Sequence, residues 1–133
     1  MQANKEGQPI RVLLVEDEFL ISEWVAGTLL DLGFAVHAVG NATEALRHLA
    51  TAPVDVLFTD VQLPGGTDGT SLAQRARELI PDLPVVYASA ALDVRAFEAR
   101  VPGSIFVAKP YDPTAVGRIL ASVAKTATAR VAA

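Results

Sequence analysis

The sequence predicts an α/β protein in which a doubly wound, five-stranded parallel sheet carries helices on both faces. Three observations lead there. Four short apolar runs, Val12–Val15, Val54–Phe58, Val85–Ala88 and Ile105–Ala108, are rich in β-branched or aromatic residues and too short for buried helices, so they read as strands covered on both sides. Segments with helical apolar spacing separate them. The chain has 133 residues, a length that suits one core, and 51% of it is hydrophobic against 20% charged, which excludes disordered and fibrous classes.

After the first run, Leu20, Ile21, Trp24, Val25, Thr28 and Leu32 place an apolar stripe on one helix, which Gly33 closes. Ala35–Val39 is a weaker strand with His37 in its middle. A second helix spans 41–50, apolar at Leu46 and Leu49 and capped by Asn41 or Thr43. The next run, Val54–Phe58, is interrupted only by Asp55. Leu72, Ala76, Leu79 and Ile80 mark a third helix ended by Pro81. A short fourth helix, Leu92 to Arg100, follows Val85–Ala88 and stops at Pro102-Gly103. Beyond Ile105–Ala108, Pro113 opens a fifth helix that runs to Lys125. Strict alternation of strand and helix with short connections implies right-handed crossovers and hence a parallel sheet. Residues 1–9 are expected to be disordered, 10–125 to form the domain and 126–133 to fray.

Composition narrows the function. Fifteen acids against eleven bases give a net charge of −4, too acidic for a chain-wide nucleic-acid footprint. The absence of cysteine excludes disulfides, thiolate metal sites and a cysteine nucleophile. His37 and His48 lack the spacing of a helical metal pair, so zinc chemistry is not expected. No signal core and no apolar stretch of roughly 20 residues is present, so a cytoplasmic protein without membrane contact is expected.

In doubly wound sheets, ligands bind beyond the carboxyl ends of the strands. There the sequence sets Glu16-Asp17-Glu18 after the first strand, Asp60 after the third, Ser89 after the fourth and Lys109-Pro110 after the fifth. If the first strand neighbours the third, Glu16, Asp17 and Asp60 crowd together, and like charges held that close raise one another's pKa or take up a cation. A hard divalent ion such as Mg2+ suits the oxygen donors. Lys109 offers a point positive charge and Ser89 a hydroxyl to an anion held at the same place. Singly, each acid serves equally well as a loop or helix cap; jointly, acids, metal, lysine and hydroxyl describe a phosphoryl-transfer site.

The runs Val12-Leu13-Leu14-Val15-Glu16-Asp17-Glu18, Phe58-Thr59-Asp60-Val61-Gln62-Leu63-Pro64-Gly65, Ala88-Ser89-Ala90 and Val107-Ala108-Lys109-Pro110 resemble the receiver domain of two-component response regulators, of the stand-alone, single-domain type. The resemblance covers residues 10 to 125. It implies the flavodoxin-like strand order 2-1-3-4-5 and a signalling role rather than an enzyme's, with Asp60 taking a phosphoryl group from a histidine kinase or phosphotransfer protein and an unidentified downstream protein reading the result. It further implies that Asp17, Asp60 and the Gln62 backbone carbonyl bind Mg2+, and that Glu16 holds a coordinated water. Ser89 and Lys109 would contact the phosphoryl oxygens, Phe106 would take the aromatic switch position, and the bond before Pro110 would be cis.

The chain departs from the family pattern in places. Glu16 replaces the commoner Asp, the loop Pro64-Gly65-Gly66-Thr67-Asp68-Gly69 is one residue longer than usual, and the stretch from Ser89 to Lys109 is shorter, so a reduced fourth helix is expected. A degenerate receiver acting only as an interaction module would keep the fold and lose the chemistry. A haloacid-dehalogenase-like phosphatase needs a second acid two residues past its nucleophile, where this chain has Gln62. An FMN carrier would meet repulsion between its phosphate and the acids after Val15.

Overall fold

A computed structural model describes residues 3–4, 6–90 and 93–132. The elements follow the order β1 (Arg11–Val15), α1 (Phe19–Asp31), β2 (Ala35–Val39), α2 (Ala42–Thr51), β3 (Val56–Asp60), α3 (Gly69–Leu79), β4 (Val85–Ser89), α4 (Val94–Ala99), β5 (Ile105–Ala108) and α5 (Pro113–Ala132). The strands form one sheet in the order β2-β1-β3-β4-β5, and every neighbouring pair is parallel. Order and class agree with the sequence reading.

Two cores flank the sheet. Leu13, Val15, Leu57 and Tyr87 pack with Ala45 and Leu49 of α2, Leu72 and Ala76 of α3 and Ala96 of α4. On the opposite face Val12, Leu14, Phe58 and Val86 meet Val25 and Leu29 of α1 and Val116 and Leu120 of α5. Alternate residues of each central strand therefore serve opposite cores, the pattern that makes such strands read as continuous apolar runs. The last run does not fit that expectation. β5 has a single neighbour in the sheet, and Ile105 and Ala108 are exposed, as edge position dictates.

The stripe assigned to α1 also needs correction. Ile21, Val25, Leu29 and Leu32, spaced by three or four residues, face the sheet, while Leu20 is 80% and Trp24 58% exposed. They lie about 100° around the helix from Ile21 and Val25. Gly117 of α5 lets the two helices of this face approach, since a Cβ there would lie 2.9 Å from Leu32 Cδ1.

Local signals account for most boundaries. Asn41 Oδ1 accepts from Glu44 N at 2.9 Å to open α2, and Asp68 Oδ1 accepts from Ser71 N at 2.9 Å to open α3. Gly33, at φ 97°, ends the α1 turn in the left-handed region. α4 has six residues, as short as the sequence suggested, and Leu92, expected at its start, lies outside the described residues. β3 begins at Val56 rather than Val54, because Asp55 is occupied elsewhere. Its carboxylate accepts from Arg11 N at 2.8 Å, Arg11 Nε at 3.0 Å, Arg11 Nη2 at 3.1 Å and Asn4 Nδ2 at 3.2 Å. Ahead of β1, Asn4 is anchored on Asp55 and Ala3 forms a bridge with Pro9, and α5 runs to Ala132. His37 on β2 and His48 on α2 stack with ring centroids 3.8 Å apart and planes inclined by 6°.

Candidate functional site

Pairing of β1 with β3 aligns Val15 with Thr59, which sets the residues after β1 beside the end of β3. Carboxylate oxygens of Glu16, Asp17 and Asp60 accordingly lie within 4.8 Å of one another. Glu16 and Asp60 are each only 4% exposed, whereas Asp17 faces solvent. Three acids at one sheet edge repel unless neutralised, and part of the compensation is in place. Lys109 Nζ, just past β5, lies 2.9 Å from Asp60 Oδ1.

The electrostatics follow from this geometry. Burial, together with the hydrogen bond and charge of Asp60, pushes the Glu16 carboxyl up to about 7, although Glu18 N donates to Glu16 Oε2 at 3.0 Å and Lys109 opposes the rise. Burial alone would lower the Lys109 ammonium, but the hydrogen bond to Asp60 and the charges of Asp60, Glu16 and Glu18 outweigh it and raise the pKa.

Glu16 Oε1 is buried and makes no hydrogen bond. A buried carboxylate oxygen without a donor calls for a partner, and three convergent carboxylates with no nitrogen or sulfur among them suit a hard divalent cation. The donor set therefore fits Mg2+.

Of the remaining predicted residues, Ser89 and Gln62 stand at the strand ends near this cluster and Phe106 does not. Ser89 ends β4 opposite Ala108, and its carbonyl accepts from Lys109 N at 2.9 Å, so serine and lysine are held at the same edge by the sheet ladder. Gln62 stands two residues past Asp60 with its side chain exposed. The Lys109–Pro110 bond is cis, as the resemblance implies. Phe106 lies outside the pocket, half-buried against the α3–α4 core, its ring 4.8 Å from Tyr87 and 6.0 Å from Phe97.

Two features of the site escaped the sequence reading. Tyr111, two residues past Lys109, rests edge-on against Phe58 at 5.5 Å, and burial plus the charges of Asp60 and Glu16 raise its phenol. Its signal was its position directly after Lys109-Pro110. Gly69 is the other. Its N donates to Val61 O at 2.7 Å, and any Cβ on it would collide with the Asp60 carbonyl oxygen. Only packing reveals that constraint.

Comparison with known proteins agrees with the geometry. Residues 12–121 match the family model described as "Response regulator receiver domain". The chain is 38% identical over 109 residues to the response regulator protein FleR of Pseudomonas aeruginosa, covering 80% of this chain and 23% of that protein. To the transcriptional regulatory protein BaeR of Escherichia coli it is 28% identical over 108 residues, 80% of this chain and 44% of BaeR. The chain thus spans less than half the length of these relatives. A response regulator receiver protein from Sinorhizobium medicae has a crystal structure that superposes with a TM-score of 0.84 at 29% identity, covering 90% of this chain and 97% of that one. A putative response regulator from Chloroflexus aurantiacus gives 0.78 at 29%, covering 89% and 99%.

Proposed function

Since the chain belongs to the response regulator receiver domain family, a phosphoacceptor signalling fold, we propose that Asp60 is its phosphoacceptor and that the donor is a phosphohistidine on a histidine kinase or phosphotransfer protein. The observation that carries this reading is the burial of Asp60 beside Glu16 and Asp17 with Lys109 Nζ 2.9 Å from its Oδ1. In the transfer, a carboxylate oxygen of Asp60 attacks phosphorus, an O–P bond forms as the donor's N–P bond breaks, and the imidazole leaves with a proton from solvent.

Each residue has a part. Lys109 orients Asp60 and meets the negative charge on the incoming phosphoryl oxygens, and Ser89 donates its hydroxyl to one of them. Asp17, Asp60 and the Gln62 carbonyl would hold Mg2+, and Glu16 would act on it through water. When bound, the cation neutralises charge that the carboxylates would otherwise present to a dianionic donor. Phe106 serves as the aromatic switch, packed rather than hydrogen-bonded because phenylalanine lacks a hydroxyl. The chain catalyses at most its own phosphorylation and dephosphorylation, and an unidentified protein reads the phosphorylated form. The phosphatase alternative is not favoured, since Gln62 stands where it requires an acid, and a degenerate receiver would need the loss of a residue that is present.

Incubation with acetyl phosphate and Mg2+ followed by intact mass measurement tests the reading. A gain of one phosphoryl group that is lost in Asp60→Asn and in excess EDTA is expected; a gain that persists in Asp60→Asn would overturn it.

A further inference from the structure

Tyr87 is fully buried, and its hydroxyl links the sheet to the far end of α4. Its hydroxyl accepts from Val101 N at 3.2 Å, just past the C-terminal end of α4. The rest of α4 is weakly held among the described residues. It has six residues, exposes Val94 at 58% and Phe97 at 48%, and buries only Ala96. Two further polar ties are the Asp93 cap on Ala96 N at 3.1 Å and Gln74 Nε2 donating to Ala99 O at 2.8 Å. Downstream, Ser104 Oγ donates to Val101 O at 2.7 Å, so both main-chain groups of Val101 are fixed, one of them by Tyr87.

Tyr87 also sits two residues before Ser89 on β4, and alternate strand residues share a face. A change at the Ser89 end of the strand therefore reaches the Tyr87 side chain before it reaches any other residue of that face on β4. The aromatic side of the same residue contacts Phe106 at 4.8 Å, and Phe97 carries the Arg100 guanidinium 3.7 Å from its ring centroid. Ring and hydroxyl thus touch two different parts of the α4–β5 surface.

We propose that Tyr87 is a positioning residue that couples the Asp60–Ser89 edge to α4, through its hydrogen bond to Val101 and separately from the Phe106 ring. The inference rests on the phosphoacceptor reading and names the path by which that site is read out. A buried amide that loses its acceptor is left unsatisfied, so the Tyr87 hydroxyl selects among positions of the C-terminal end of α4.

The test uses the full chain with Mg2+ and beryllofluoride as the phosphoryl mimic, followed by amide NMR and hydrogen exchange. Amides of Asp60, Ser89 and Lys109 report occupancy, and those of Val94, Phe97 and Val101 report α4. In wild type, exchange at Val101 is expected to change about fivefold or more on beryllofluoride binding, the lower range of allosteric coupling. Tyr87→Phe should keep the response at Asp60, Ser89 and Lys109 and lose it in α4. An undiminished α4 response in Tyr87→Phe would overturn the proposal. So would a wild-type protein that binds beryllofluoride with Val101 unchanged, a result that needs no variant to fold. Silence of the Asp60, Ser89 and Lys109 amides in wild type would instead overturn the phosphoacceptor reading and this inference with it.

Discussion

Gly69 and Asp60 touch so closely that a Cβ on the glycine would overlap the aspartate's main-chain oxygen, which leaves the start of α3 pressed against the end of β3. Gly69→Ala must therefore displace either the helix or the residue beside the acid cluster. Overpacking of this kind costs about 1–3 kcal/mol. Urea unfolding should show that loss, together with slower phosphorylation by acetyl phosphate. Gly27→Ala is the control, because Gly27 lies within α1 with nothing inside 4 Å. It should stabilise by about 0.5–1 kcal/mol.

Lys109 offers the ammonium nearest to Asp60 among the described ion pairs. Its replacement by Ala leaves three crowded carboxylates with less compensation and removes a donor aimed at the transferred group. Phosphorylation should slow about 10²- to 10³-fold, as for loss of one preorganised electrostatic donor, with the far-ultraviolet circular dichroism unchanged. A wild-type rate in Lys109→Ala would remove the lysine from the chemistry.

Asp17 is the exposed member of the acid cluster and has no described role in packing. Asp17→Asn should weaken Mg2+ binding by at least about tenfold, equivalent to 1.4 kcal/mol, without loss of folding stability. Calorimetric titration checks this, and equal affinity in the two proteins would count against the assignment of the ligand.

Asp55 lies at the opposite end of the sheet, and its pKa is lowered because the hydrogen bonds and charge of Arg11 and the Asn4 amide outweigh the effect of burial. A carboxylate whose folded pKa lies below its unfolded value contributes stability that is complete above the unfolded pKa and is lost as pH falls through the folded one. Asp55→Asn should thus be less stable than wild type by on the order of 2 kcal/mol at pH 7. The gap should close in acid, below the folded pKa. A gap independent of pH would show that the charge of Asp55 is not what holds Arg11.

The corrected face of α1 gives a direct stability test. Leu29, fully buried, should cost about 2–5 kcal/mol when cut to Ala. Leu20→Ala, at a position 80% exposed, should stay within about 0.5 kcal/mol of wild type.

These residues also show how far the sequence could be read. β-branched runs ending in acid, hydroxyl or lysine disclose both the strands and the edge at which chemistry collects, because strand direction and side-chain type are local properties. The face of α1 was harder to read. Leu20 and Trp24 are as apolar as Val25 and Leu29, so composition cannot say which stripe meets the sheet, and only the packing of Phe34 and α5 decides. Asp55 read as an interruption of β3 because its partner Arg11 is 44 residues away. The His37–His48 stack and the Gly69–Asp60 contact are likewise products of tertiary approach, with no local pattern to announce them.

The central claim is that Asp60 carries the phosphoryl group, and trapping the acyl phosphate tests it most directly. Borohydride reduces an aspartyl phosphate to homoserine, which peptide mass spectrometry then locates. After treatment with acetyl phosphate and Mg2+, homoserine is predicted at position 60 and nowhere else. Its appearance at Asp17 or Asp55 with residue 60 still aspartate would contradict the account.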